Sequence, residues 1–153
     1  MRKMRLLFDA SALLNTMRLY RHEAYKMLKG NLTLSLTRYE IGNVLWKETL
    51  LLKRLSIEEA LEAASLLDKV LKIMVIADPQ DSSLTLKLAY DLQITYYDAS
   101  YIAASAENNA RLITDDIKLI KKVQENTDII NGMLGKKIEL SPSDKIQSPL
   151  RSS

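Results

Sequence analysis

Hydrophobic residues follow two patterns along this chain: short continuous runs, and longer stretches in which they recur every three or four positions. The short runs have the length of buried strands and fall at residues 6–8, 32–36, 73–76, 112–114 and 138–140. The longer stretches predict helices that begin at Thr37, at 56–59 with a capping box, and over 81–92, 98–108 and the residues after 116. Strands that alternate with helices indicate an α/β domain in which a mostly parallel sheet is flanked by helices.

The domain organisation follows from length and from the polarity of the C-terminal end. A chain of 153 residues with ordinary hydrophobic content is expected to bury one core. We therefore predict a single domain over residues 1–140. Residues 141–153 are polar and contain two prolines, which predicts a flexible tail.

Composition excludes several classes of protein. The absence of cysteine excludes disulfide frameworks and thiolate zinc sites, and is compatible with a reducing cytosol. The basic start is interrupted by Asp9 before an apolar signal segment can form, and every apolar stretch is broken by charges well short of the roughly 20 residues that span a bilayer. We therefore expect a cytoplasmic protein without a membrane segment. A net charge of +3 permits an anionic partner without identifying one.

Four acidic residues occupy corresponding positions in the predicted elements. Asp9 and Asp116 follow predicted strands, whereas Glu40 and Asp98 lie at the starts of helices. Because the carboxyl ends of parallel strands meet at one edge of a sheet, these side chains are expected to converge there. Carboxylates that converge repel one another, so the cluster favours a divalent cation, and oxygen ligands alone point to Mg²⁺ or Mn²⁺.

Each acidic residue also has a purely structural explanation. Aspartate is a preferred N-cap, and carboxylates in first turns are stabilised by the helix dipole. Glu40 is the clearest case, because Thr37 and Glu40 have the spacing of a capping box. Asn43 lies one turn beyond Glu40 and Lys47 lies on nearly the same face, so either residue is a candidate substrate contact or an ordinary surface residue.

Four motifs together resemble the PIN-domain nucleases, particularly the VapC-like toxins of toxin–antitoxin pairs. The motifs are LLFDAS at 6–11, YE at 39–40, YDASYIA at 97–103 and LITDD at 112–116. The resemblance implies a PIN-like three-layer fold and metal-dependent endonucleolytic cleavage of RNA. It also implies a homodimer and an antitoxin protein as partners.

The resemblance further assigns roles to individual residues. It implies a catalytic set of four acids, of which the three aspartates bind the metal: Asp9, Glu40, Asp98 and Asp116. The last acid of the family stands two residues after a threonine, which favours Asp116 and leaves Asp115 as a second candidate. Ser11 and Thr114 would supply hydroxyls that hold a carboxylate or a water.

Other functions compete with the toxin interpretation. A phosphoaspartate hydrolase requires a second aspartate where this chain has Ser11, and a receiver-type module requires paired acids after its first strand. A housekeeping RNA-processing nuclease would share every feature described so far. A PIN-like module that binds RNA or protein without cutting is also an alternative, but such a module would not need four mutually repelling carboxylates.

Overall fold

The computed structural model describes residues 4–146. Within them, five short strands form one sheet: β1 (Leu6–Phe8), β2 (Leu32–Thr33), β3 (Val75–Ile76), β4 (Arg111–Ile113) and β5 (Leu140–Ser141). The spatial order is β3-β2-β1-β4-β5, and each pair of neighbouring strands is parallel. The predicted α/β class is confirmed, and the sheet is parallel throughout.

Residues 4–146 also contain eight α-helices. They are α1 (Ala10–Tyr20), α2 (Ala24–Leu28), α3 (Leu36–Trp46), α4 (Ile57–Ile73), α5 (Ser82–Leu92), α6 (Tyr96–Glu107), α7 (Ile117–Glu125) and α8 (Thr127–Leu134). Two 3₁₀ turns at Arg21–Glu23 and Ser143–Lys145 and a π-helical segment at Lys47–Leu51 complete the secondary structure. The capping box predicted at the start of α4 is present, with Ser56 and Glu59 as its two members.

The helices cover both faces of the sheet, which produces three layers. Leu7 of β1 pairs with Leu112 of β4, and both side chains join the buried cluster that packs under α5, α6, α7 and α8. The next pair, Phe8 and Ile113, belongs to the opposite cluster, which packs under α1, α2, α3 and α4. Successive strand residues point to opposite faces, so each strand contributes to both halves of the core.

Several element boundaries differ from the prediction. β2 ends at Thr33, because the Thr37 amide donates to the Leu34 carbonyl and turns the chain into α3. The run at 73–76 is divided, with Ile73 ending α4 and only two residues entering β3. Asp98 does not begin its helix, since α6 starts at Tyr96 with Thr95 as its N-cap. Short apolar runs resemble both strands and helix ends, so their boundaries depend on tertiary contacts.

The C-terminal end of the described residues differs from the prediction in two ways: the last strand lies later in the chain, and the residues after it are structured. The last strand is Leu140–Ser141, rather than 138–140, and Ser143–Lys145 forms a 3₁₀ turn within the segment that was expected to be a tail. Both the backbone amide and the hydroxyl of Ser143 donate to the Asp115 carboxylate, at 2.8 and 2.6 Å. This pairing holds the segment against the domain. Residues 147–153 of the predicted tail lie outside the described residues.

Large hydrophobic side chains are exposed at the end of α3 and the start of α4. We call this set the apolar segment, and it comprises Trp46, Leu50, Leu51, Leu52, Ile57 and Leu61. The leucine-rich region between Tyr39 and Leu71 therefore contributes to the surface as well as to the core. Across residues 4–146, every helix is too short or too polar to cross a bilayer.

Candidate active site

The predicted acidic residues line one open cavity with a volume of about 470 Å³. Five carboxylates contribute to its wall: Asp9, Glu40, Asp98, Asp115 and Asp116. They come from the end of β1, the second turn of α3, the first turn of α6 and the loop after β4. The cavity therefore lies where the strands end, at the edge of a parallel sheet where ligands usually bind.

Asp9 is the most deeply buried of these acids, with 5% of its surface exposed. Its Oδ1 accepts hydrogen bonds from the Ser11 hydroxyl at 2.7 Å and the Ala12 amide at 2.9 Å. Asp9 is thus the N-cap of α1 as well as a site residue. Burial raises the pKa of Asp9 to about 6, although hydrogen bonding to the Thr114 side chain and the bonds from Ala12 and Ser11 oppose the rise.

Glu40 is half-buried and accepts a hydrogen bond from the Tyr101 hydroxyl at 2.6 Å. Burial raises the pKa of Glu40, the bond from Tyr101 opposes this, and the charges of Asp98 and Asp9 add to the rise. The capping-box explanation for Glu40 is wrong. α3 already begins at Leu36, and the Thr37 hydroxyl contacts Tyr101 in the interior.

Asp98 lies in the first turn of α6, where the Thr95 hydroxyl caps the helix by accepting from the Asp98 amide at 3.0 Å. The Asp98 carboxylate is therefore free of the capping role. Burial raises the pKa of Asp98, and the nearby charge of Asp116 raises it further. The two aspartates are thus close enough to interact electrostatically although they come from different elements.

The two adjacent aspartates after β4 make different contacts. Asp116 is the N-cap of α7, and its Oδ1 accepts from the amides of Lys118 and Leu119, so that capping occupies one of its two oxygens. Asp115 accepts from the Asn15 amide group at 2.8 Å and from Ser143. Both aspartates line the cavity, but the Asp115 carboxylate is also hydrogen-bonded to Asn15 and Ser143 at the edge of the domain.

The two predicted hydroxyl residues connect these acids. The Ser11 hydroxyl donates to Asp9 and accepts from the Asp115 amide at 3.0 Å, which links β1 to the loop after β4. The Thr114 hydroxyl accepts from the Asp116 amide at 3.1 Å and orients the turn that carries that carboxylate. Each hydroxyl therefore supports the position of an acidic side chain.

The two predicted substrate contacts have different locations. Asn43 lines the cavity, whereas Lys47 is absent from the residues that line it. At Lys47 the helix changes from α to π geometry, and the next residue, Glu48, pairs with Arg18. Among the described residues that line the cavity, Arg18 is the single basic one.

Sequence reasoning missed three residues of the site: Arg18, Asn15 and Tyr101. A signal for the first two was available, because Ser11, Asn15 and Arg18 recur at helical spacing after Asp9 and share one face of α1. Tyr101 stands one turn after Asp98, within the same quoted motif. Its contact with Glu40 joins residues 61 positions apart, which no local pattern reveals.

The donor set suits a hard divalent ion, because five of the polar side chains that line the cavity are carboxylates. The raised pKa values of Asp9, Glu40 and Asp98 indicate that these three carboxylates would gain from a neighbouring positive charge. Among residues 4–146, however, no group of three or more such side chains is close enough to surround an ion directly. A divalent ion in this cavity would therefore be held partly through its waters, as Mg²⁺ commonly is.

Comparison with known proteins gives concordant results. The model of the PIN domain family matches residues 6–126. Exonuclease VapC9 of Pyrobaculum aerophilum is 33% identical over 96 residues, which cover 63% of this chain and 69% of VapC9. The crystal structure of PAE2754 from Pyrobaculum aerophilum aligns with a TM-score of 0.65 and 27% identity, over 87% of this chain and 97% of PAE2754. The resemblance drawn from the sequence motifs is confirmed, and this chain belongs to the PIN domain family.

Proposed function

We propose that this protein is a metal-dependent endoribonuclease and the toxin of a VapBC-like toxin–antitoxin pair. One observation carries the proposal: carboxylates from four separate segments line a single cavity. Acids that raise one another's pKa destabilise a fold, so their presence together favours a catalytic site over a passive surface. The name of the similar protein VapC9, an exonuclease, supports nuclease activity.

The cavity offers one basic group for the substrate. The Arg18 guanidinium pairs with Glu48 at the cavity wall, and 40% of the Arg18 side chain is exposed. A guanidinium can bind two oxygens of a phosphate at once, so Arg18 is the proposed contact for the RNA backbone. Asn43 is the proposed second contact. Lys47 would reach the RNA only beyond the cavity.

In the proposed mechanism, Asp9, Asp98 and Asp116 would hold Mg²⁺ or Mn²⁺, partly through water. A bound divalent ion supplies positive charge that offsets the charge developing on the phosphate and eases deprotonation of water. Glu40 orients the attacking water. Water loses a proton to solvent as it attacks the phosphorus, and the bond to the 3′ oxygen breaks. The 3′ oxygen takes up a proton, which leaves a 5′-phosphate and a 3′-hydroxyl. His22, the single histidine, is exposed outside this cavity and takes no part.

The proposed partners follow from the family and from the surface. The apolar segment exposes six large hydrophobic side chains, which suit contact with either a second copy of the chain or a helix of an antitoxin protein. We assign it to the antitoxin, because α3 contributes to both the cavity and the apolar segment. An antitoxin bound there would extend over the acidic cavity and block RNA.

The experiment compares the parent protein with Asp98→Asn, purified identically, on labelled linear RNA and on covalently closed circular RNA. Each reaction is run with Mn²⁺, with Mg²⁺ and with EDTA. Cleavage of both RNAs by the parent alone, and only with metal, is expected. Identical purification controls for contaminating ribonucleases.

Each alternative gives a different result. Cleavage of the linear RNA alone would indicate that the protein is an exonuclease rather than an endonuclease, as the name of VapC9 suggests. Cleavage by Asp98→Asn at the same rate as by the parent would contradict the proposal that the acidic cavity is the catalytic site. Absence of cleavage of every RNA by the parent protein would favour the alternative that the protein is a non-catalytic binding module. Growth arrest on induction of the parent, but not of Asp98→Asn, separates a toxin from a housekeeping nuclease.

A further inference from the structure

We infer that Tyr101 is a positioning residue of this site, which holds the Glu40 carboxylate in a fixed place relative to Asp9 through a buried chain of hydroxyl groups. The inference rests on the proposed function, since it concerns how the acidic cavity is arranged for cleavage. It adds to the four acids a set of uncharged residues: Thr33, Thr37 and Tyr101.

The first step is the contact between Tyr101 and Glu40. Tyr101 is 1% exposed, yet it reaches the floor of the cavity, where its hydroxyl lies 2.6 Å from Glu40 Oε1. It stands three residues after Asp98 on α6, so both side chains lie on nearly the same face of that helix. One helix therefore presents an acid to the cavity and also restrains a second acid on α3.

The direction of the hydrogen bonds follows from proton counting. An ionised carboxylate only accepts, so the single hydroxyl hydrogen of Tyr101 is donated to Glu40. Thr37 Oγ1 lies 2.6 Å from the Tyr101 oxygen and must then be the donor to it. Tyr101 is thus held from one side by Thr37 and holds Glu40 on the other.

The chain continues to the backbone beside Asp9. Thr33 Oγ1 lies 2.9 Å from Thr37 Oγ1 and 2.8 Å from the carbonyl oxygen of Phe8, and it donates its single hydrogen to both of these acceptors in a three-centre hydrogen bond. Phe8 immediately precedes Asp9. We call this series the hydroxyl chain, and it consists of Thr33, Thr37 and Tyr101. It connects the ends of β1 and β2 to α3 and α6, so the backbone that carries Asp9 is tied to the carboxylate of Glu40.

Burial makes this connection rigid. Thr33 and Thr37 are fully buried, so water does not compete for their hydrogen bonds. A glutamate side chain on a partly exposed helix face has several rotamers and loses entropy when one is fixed. The bond from Tyr101 selects one of these rotamers before substrate binds. A phenylalanine would fill the same space in the core without this restraint.

The test is a double-mutant cycle on RNA cleavage. Tyr101→Phe is expected to lower kcat roughly 10- to 100-fold with little change in KM, because a misplaced group lowers the rate rather than binding. In a Glu40→Ala background the same substitution should lower kcat no further. Tyr90→Phe, at a tyrosine that is 82% exposed, is the matched control and should leave kcat unchanged.

Two further measurements separate positioning from loss of folding. Thr37→Val should lower kcat and Thr37→Ser should restore it, since only the hydroxyl is used in the chain. In metal-free thermal unfolding, Tyr101→Phe should change the melting temperature less in the Glu40→Ala background than in the parent, as expected for residues in contact.

The outcomes distinguish this inference from the proposed function. A parent protein that cleaves RNA while Tyr101→Phe retains its kcat would overturn the inference alone. Equal losses from Tyr101→Phe in the parent and in Glu40→Ala would also overturn it, because they would indicate a purely structural role. A parent protein that cleaves no RNA would overturn the proposed function, and with it the inference.

Discussion

Two hydrogen-bonded groups border the acidic cavity, and they differ in burial. On one side the hydroxyl chain is buried and ends on the Glu40 carboxylate. On the other side the Asp115 carboxylate binds Asn15 and Ser143 near the surface. We call this second group the rim network. Both groups link segments distant in sequence, but water can replace the bonds of the rim network, whereas the bonds among Thr33, Thr37 and Tyr101 are buried away from water.

The difference in burial predicts that the two hydrogen-bonded groups have different roles. Bonds that exclude water fix the position of a carboxylate, as catalysis requires. Bonds that water can replace contribute little net free energy, and here they fasten the C-terminal 3₁₀ turn to the domain. We therefore expect substitutions in the hydroxyl chain to act mainly on kcat, and those in the rim network to act mainly on stability.

The largest expected effect compares one carboxylate from each side. Glu40→Gln should lower kcat by about 10² to 10³, whereas Asp115→Asn should change it by less than about threefold. Both substitutions preserve shape and remove charge, so they are matched. Steady-state cleavage of a labelled RNA measures the difference. Comparable losses in the two variants would show that Asp115 belongs to the catalytic set and would end the distinction between the two sides.

The second prediction concerns pH and Asp9, which lies between the two groups. Because the pKa of Asp9 is raised to about 6 in the folded protein, the folded state binds this proton more tightly than the unfolded state. Its contribution to stability is present below pH 4 and is lost as the pH rises through 6. The loss is up to about 3 kcal/mol.

Urea denaturation of the metal-free protein between pH 4 and 7.5 tests this expectation. The free energy of unfolding of the parent should fall with rising pH relative to that of Asp9→Asn, in which asparagine keeps the N-cap but does not titrate. Parallel curves for the two proteins would show that Asp9 is not desolvated as described.

The third prediction tests the repulsion between acids. Asp98→Asn should raise the melting temperature of the metal-free protein by about 2–4 °C, because it removes a half-buried charge close to Asp116. It should also abolish the stabilisation that Mn²⁺ gives the parent. Thermal melts with EDTA and with Mn²⁺ measure both effects. An equal response of the two proteins to Mn²⁺ would exclude Asp98 from the metal site.

The smallest expected effect lies in the rim network. Ser143→Ala removes one of the two bonds from Ser143 to Asp115 and leaves the bond from the backbone amide. The melting temperature should fall by about 2 °C, and kcat should be unchanged. A large loss of activity would mean that the C-terminal turn acts on the site and that the rim network has a catalytic role.

Much of the fold was predictable because its signals are local. Apolar spacing identified the parallel α/β arrangement, and Ser56 with Glu59 correctly marked the start of α4. Boundaries were less predictable. The run at 73–76 belongs partly to a helix and partly to an edge strand, and α8 (Thr127–Leu134) was not predicted.

The part of the site that could be predicted from the sequence was the set of acids near the ends of strands. The four acids were selected from their positions after strands or at helix starts, and all of them line the cavity. The structural explanation also holds for two of them, since Asp9 and Asp116 cap helices while they face the cavity. Lys47 was selected by helical spacing from Glu40, but it lies outside the cavity wall that Glu40 and Asn43 line.

By itself, the sequence determined the order of strands and helices and the location of the acids, because hydrophobic periodicity and the geometry of parallel sheets act over short stretches. Only the tertiary structure decided which groups hold those acids in place. Tyr101 lies 61 positions from Glu40, and Ser143 lies 28 positions from Asp115. Hydrogen bonds across such distances form only after the chain has folded, and they impose no pattern on neighbouring residues.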